Sequence, residues 1–207
     1  MDALTIVDAV TSLGAIPVEI DETGIDVAYS CSQKGLSCPP GLAPITASPR
    51  AMERLHARRA PVGAWYLDLR LLAQYFDACD YHHTASANLF YALHEGLRLI
   101  HEEGLENRFA RHLRASQTMV SGLEGLGLRL HVKEGARIPH VATPLAPEGV
   151  DVAQVRQYLL DKHGIEIAVG RGPLLGKIFR IGVMGPMANQ EPVEMFLGKF
   201  EEALRAA

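Results

Sequence analysis

The chain reads as an α/β protein. Short runs of β-branched and other apolar residues, parted by Gly and Pro, fill residues 4–47. Apolar residues at helical spacing follow through residue 123, and strand-like and helical segments then alternate to the end. With 48% hydrophobic and 21% charged residues over 207 positions, the composition is that of an ordinary globular protein able to bury a core.

Residues 4–7, 16–20, 25–29 and 42–46 are the strands expected in the first part, with turn residues between them. Ser48-Pro49 predicts a helix start, Ser48 as cap and Pro49 in the first turn, and the helix should end near Arg59, before Pro61 and Gly63. Residues 65–76 are amphipathic and aromatic, and core packing is their simplest role. Leu89, Phe90, Leu93, Leu97 and Ile100 mark a helix over residues 86–103 that is buried on one side and stopped by Gly104. A second helix covers 106–123. Beyond Gly125 and Gly127 come strands at 128–132 and 140–145, a helix at 152–163, strands at 165–169 and 178–183, and a terminal helix at 192–206. This pattern divides the chain into residues 1–104 and a small α/β domain, residues 105–207.

A net charge of -4 and a pI near 6.1 argue against a nucleic-acid binder. Arg54, His56, Arg58 and Arg59 form the one basic cluster and read as a solvated helix face. Three cysteines without zinc spacing predict neither a disulfide framework nor a metal site, and suit a reducing cytoplasm. No signal-peptide pattern and no apolar run of membrane-spanning length occurs. The start Met1-Asp2-Ala3-Leu4 runs straight into a core strand, as expected of a fragment or one half of a split protein.

The chemistry is expected in Tyr29-Ser30-Cys31-Ser32-Gln33-Lys34-Gly35-Leu36-Ser37-Cys38-Pro39-Pro40-Gly41. A strand precedes Lys34, and Pro39-Pro40-Gly41 forbids a helix after it, so the lysine hangs from a loop at a strand end. With Ser, Cys, Gln and Gly around it, burial would disfavour its ammonium form, which is what an imine-forming lysine needs. The bland alternative is a solvated loop lysine. Asp8 ends a neighbouring β-run, and strand-end acids in open α/β sheets sit at the ligand edge, although a helix cap before residues 9–13 is an equal reading. Pyridoxal phosphate enzymes use this pair: the lysine makes the Schiff base, and the carboxylate holds the pyridine nitrogen protonated.

Two further stretches carry polar groups. Tyr81-His82-His83-Thr84 invites a metal reading, but adjacent histidines on an extended chain point opposite ways and no third ligand is placed nearby. Gly170 to Lys177 departs from a nucleotide P-loop in spacing, and Ile178 follows the lysine where Ser or Thr is needed. Arg180, between Phe179 and Ile181, reads as a half-buried arginine that needs an anion, either a protein carboxylate or a substrate's.

Val7-Asp8-Ala9-Val10-Thr11-Ser12-Leu13-Gly14, Gly24-Ile25-Asp26, Ser32-Gln33-Lys34-Gly35 with Pro39-Pro40-Gly41, and Tyr81-His82-His83-Thr84 closely resemble the class V, fold-type I aminotransferases of the alanine:glyoxylate and serine:glyoxylate group. The resemblance runs in the family's order over essentially the whole chain, and those enzymes are nearly twice as long. It implies the C-terminal part of a fold-type I large domain followed by the small domain. It implies pyridoxal 5'-phosphate as cofactor, Lys34 as its anchor and base, Asp8 on the pyridine nitrogen and Val10 against one ring face. Gln33 would lie near the phosphate, Tyr81 and Thr84 would reach the phosphate of the other subunit, and Arg180 would take the substrate α-carboxylate. The reaction implied moves an amino group from alanine or serine to glyoxylate or pyruvate, and ureidoglycine enzymes share these motifs. The competing readings are a non-catalytic chain that binds a complementary aminotransferase half, and lyase or desulfurase chemistry on the same cofactor.

Overall fold

The computed structural model describes residues 3–207. Its first sheet has three short strands, β1 (Ile6–Asp8), β2 (Val27–Tyr29) and β3 (Ile45–Ala47), in the order β1-β2-β3. β1 runs parallel to β2 with Asp8 opposite Tyr29, and β3 runs antiparallel with Ile45 opposite Tyr29. The expected strand at 16–20 does not form. Pro17 removes a ladder donor there, and the amides of Ala15, Ile16 and Ile20 are satisfied within turns by Ser12 and Val18. The strand expected at 42–46 is shifted to Ile45–Ala47.

Asp26 fastens this sheet to the first helix. Its buried carboxylate accepts from the Thr5 amide at 2.9 Å, the Ser48 hydroxyl at 3.0 Å and the Arg50 guanidinium, and the hydrogen bond from Arg50 holds the acid well below the usual carboxylate range. Ser48 also caps α1 (Pro49–His56), accepting from Ala51 N at 3.1 Å. Arg54, His56, Arg58 and Arg59 are all exposed.

A 3-10 turn (Trp65–Leu67) leads into α2 (Leu69–Asp77), which Asp68 caps. Core packing is not the role of that turn, because Trp65, Tyr66 and Leu67 are exposed. Next come α3 (Ala87–Glu103) and α4 (Leu105–Gly125), parted by Gly104 with φ +80, a backbone that favours glycine.

In the C-terminal part, β4 (Val141–Ala142), β5 (Ala168–Val169) and β6 (Phe179–Gly182) make an antiparallel sheet in the order β4-β6-β5. The strand expected at 128–132 is reduced to a single bridge between Leu130 and Pro144. α5 (Val152–His163) starts on the Asp151 cap and stops at Gly164, which has φ +63. α6 (Gln190–Ala206) completes the layer. β6 alternates, so Phe179 and Ile181 enter the core formed with α4, α5 and α6 while Arg180 and Gly182 face outward. A smaller apolar cluster of Leu36, Cys38 and Ile100, with Leu13 and Leu93 beside it, joins the lysine loop to α3.

Phe200 is fully buried and meets Phe179 edge-on at 5.1 Å and Phe196 at 5.3 Å. Phe200→Ala should cost about 3–5 kcal/mol in chemical denaturation, because a rigid three-ring cluster closes poorly over the void. A loss below about 1 kcal/mol would mean that this cluster is not the close-packed centre of the C-terminal layer.

Candidate active site

Where β1 and β2 end side by side, the Tyr29 hydroxyl donates to Asp8 Oδ2 at 3.0 Å and the Val10 amide donates to Asp8 Oδ1 at 2.8 Å. One carboxylate oxygen is therefore held by the end of β2 and the other by the turn that follows β1. The bond to Asp8 pushes the Tyr29 phenol up from its ordinary value, since an ionised phenol would face an acid. The Val10 bond is a local turn contact, and residues 10–14 form turns rather than a regular helix.

Past Tyr29 the chain is laced to the same edge. Ser30 Oγ donates to Ala9 O at 3.0 Å, and Cys31 Sγ lies 3.8 Å from Val10 O. Ser32 Oγ donates to Pro39 O at 2.6 Å and Cys38 N donates to Ser32 O at 2.9 Å, which closes the loop around Lys34. Within it, Ser37 N donates to Lys34 O at 2.9 Å. Gly35 is pressed against the turn that follows Asp8: a Cβ there would stand 2.1 Å from Leu13 O, so only glycine fits.

Gln33 and Lys34 are exposed, and the Lys34 ammonium makes no hydrogen bond or ion pair with a described residue. The described residues of the chain therefore do not themselves bury this lysine. The surrounding small residues let the turn pack through its glycine and leave the long side chain in solvent.

Tyr81, at 75% exposure, shares a hydrogen bond of 3.0 Å with Thr84 Oγ1. The segment is anchored by buried His82, whose ring stacks on Trp65 at 3.9 Å. The two histidines do not point opposite ways as an extended chain would require. Their rings meet at right angles with Nδ1 atoms 2.9 Å apart, because the segment bends between α2 and α3. No group of three potential metal ligands occurs among the described residues.

Arg180 is exposed, not half-buried. Its apolar neighbours Phe179 and Ile181 face the core, and strand alternation sends the guanidinium to the other side. It forms no ion pair with a described residue. The segment after β6 reaches the lysine loop, since a Cβ on Gly185 would stand 2.3 Å from Ser37 Oγ. His140 Nε2 lies 3.1 Å from Thr11 Oγ1, a second tie from the C-terminal layer to the turn after Asp8. Asp8 and Val10 thus lie at and just past the end of β1, and Gln33 and Lys34 in the loop that follows β2, the two segments meeting where Gly35 packs on Leu13. Tyr81 with Thr84 forms a separate pair, Arg180 stands on β6, and no hydrogen bond among the described residues joins the three groups.

Tyr29 and Arg108 were not singled out in the sequence. Tyr29 ends a β-run and pairs opposite Asp8, so its position at the strand end is the signal in the sequence. Arg108 and His112 head the buried stripe of α4, ahead of Ala115, Met119 and Leu123, and a polar pair at that spacing on an apolar face is the clue to look for.

The family described as Aminotransferase class-V matches residues 1–195. The chain is 41% identical over 208 residues to the alanine–glyoxylate aminotransferase of Callithrix jacchus, covering 98% of this chain and 50% of that protein. Among solved structures, the alanine–glyoxylate aminotransferase of Nostoc sp. superposes with a TM-score of 0.96 at 47% identity, over 98% of this chain and 54% of that one. The ureidoglycine–glyoxylate aminotransferase of Bacillus subtilis superposes with a TM-score of 0.95 at 43% identity, over 99% and 53%. The chain spans about half the length of the curated relatives it matches.

Proposed function

The chain belongs to the class-V aminotransferase family, and from that premise we propose that it acts in pyridoxal-phosphate-dependent transfer of an amino group from alanine or serine to glyoxylate or pyruvate. The observation that carries the reading is the edge of the first sheet, where an acid with both oxygens held and an amine with no carboxylate partner leave neighbouring strand ends. The donor set suits the cofactor: a fixed anion, a free amine and a pair of hydroxyls. Pyridoxal phosphate, when bound, supplies an electron sink that makes the α-proton of an amino acid removable.

The chain's own residues do the rest. Lys34 would hold the cofactor through Nζ, and the same amine would serve as the base that takes up and returns the substrate's α-proton. Asp8 would supply the negative charge that a protonated ring nitrogen needs, and Val10 would offer an apolar contact to the ring. Gln33, Tyr81 and Thr84 offer amide and hydroxyl donors to a phosphate, the latter two across a subunit interface. Arg180, with no carboxylate of its own, takes the substrate's carboxylate through its planar fork.

Residues 1–104 form the cofactor-binding part and 105–207 the small domain, a division supported by the two separate apolar clusters. The setting is a dimer, or a pairing with a chain carrying the family's other half. Exposed Ile6 and Ile45 on the edge strands support a covering partner. A reducing cytoplasm suits the three free cysteines. No helix among the described residues is long and apolar enough to cross a membrane.

The test is to add pyridoxal phosphate, reduce with borohydride and map the modified residue, then to assay glyoxylate with alanine, serine or ureidoglycine as donor. Each measurement is run with and without a polypeptide carrying the family's N-terminal half. We expect negligible turnover by the chain alone, with capture at Lys34 and turnover appearing with the partner. No capture at Lys34 in either sample would overturn the reading in favour of a non-catalytic interaction module. Full activity from a monodisperse monomer would overturn the need for a partner.

A further inference from the structure

We infer that Arg108 is a positioning residue for Lys34, its guanidinium fixing the lysine turn against the turn that follows Asp8. Arg108 lies on α4, is only 5% exposed and belongs by sequence to neither turn. Its Nη2 donates to Gly35 O at 2.6 Å and its Nε donates to Gly14 O at 2.7 Å. Gly35 directly follows Lys34, and Gly14 closes the turns that begin at Asp8. One rigid plane of donors therefore sets the main chain beside the amine relative to the main chain beside the acid.

A buried guanidinium is costly unless it is paired, and here the pairing is complete. Arg108 Nη1 donates to Glu103 Oε2 at 2.7 Å, and Arg111 Nε donates to Glu103 Oε1 at 2.6 Å. Hydrogen bonds from Arg111 and then Arg108 hold the Glu103 carboxyl below its ordinary value. Arg111 Nη1 in turn donates to Gly185 O at 2.8 Å and Ala188 O at 2.7 Å, in the segment ahead of α6. Glu103 thus couples the grip on the lysine loop to a grip on the segment that follows β6. Reacting groups misplaced by about 1 Å can lose about 10²-fold in rate, so such a clamp has a catalytic consequence without touching substrate. That consequence, though not the clamp itself, rests on the transaminase reading.

The test compares Arg108→Lys, which keeps the charge and loses the fork, with Phe200→Leu, which loosens the distant core. Amide hydrogen exchange is read at Ala15, Ser37 and Cys38, whose amides close the two turns. In Arg108→Lys these amides should exchange about tenfold faster or more, while those of α5 stay within about twofold. Phe200→Leu should give the reverse pattern. Unchanged turn amides in Arg108→Lys, or acceleration spread evenly over the molecule, would overturn the inference. With the complementary half and pyridoxal phosphate present, Arg108→Lys should lower kcat about 10²-fold with little change in KM, an effect that Phe200→Leu should not reproduce. If the unaltered protein captures no cofactor at Lys34, the transaminase reading fails, and the exchange measurement still decides the clamp.

Discussion

Lys34→Ala should abolish borohydride-fixable capture of pyridoxal phosphate and lower transaminase activity in the complemented protein by at least roughly 10⁴-fold, because the anchoring amine and the proton-moving base are lost together. Stability should move by less than about 0.5 kcal/mol. The side chain is exposed and makes no ion pair among the described residues, and the turn's hydrogen bond from Ser37 N uses the Lys34 backbone carbonyl, which alanine keeps. The pair of measurements is mass-spectrometric mapping of the reduced adduct and chemical denaturation. Undiminished capture in the variant would make Lys34 the solvated loop lysine of the bland reading.

Asp8→Asn should keep cofactor capture while slowing turnover by roughly 10²–10⁴-fold, since a neutral amide cannot hold a positive charge on a ring nitrogen. The amide oxygen can still accept from Val10 N, and the amide nitrogen can donate to the Tyr29 hydroxyl, so the strand end should stay intact. Asp8→Ala removes both bonds and should cost about 0.5–2 kcal/mol, the range of a lost cap. Comparing the two separates the functions of one side chain. If Asn turned over at the normal rate while Ala was destabilised, Asp8 would be only the turn-forming residue that its bond to Val10 suggests.

Much of the local structure was legible because its causes lie within a few residues. Ser48-Pro49 starts α1, Gly104 parts α3 from α4, and Asp151 and Gly164 bound α5, each by a hydrogen bond or backbone angle formed locally. The strand expected at 16–20 failed for a reason also present in the sequence, Pro17, which the β-branched neighbours outweighed in the reading. Arg180 departs from expectation for a different reason. Apolar residues on both sides of a charged one fit a buried strand and a half-exposed one equally, and only the packing of α4, α5 and α6 on one face of β6 decides between them.

The sequence by itself determined the α/β class, the start of α1 and the break between α3 and α4, and a lysine displayed from a loop at a strand end, because propensity, capping and turn chemistry act over a few residues; α1 stops at His56, short of the expected Arg59. Only the tertiary structure decided what surrounds that lysine. Arg108 reaches Gly35 from 73 residues away and Gly14 from 94, and His140 meets Thr11 across 129. Tyr29 finds Asp8 across 21 residues because parallel pairing sets the two strand ends level. A hydrogen bond between distant residues leaves no periodicity or spacing in the chain, so its partners become known only once the elements have packed.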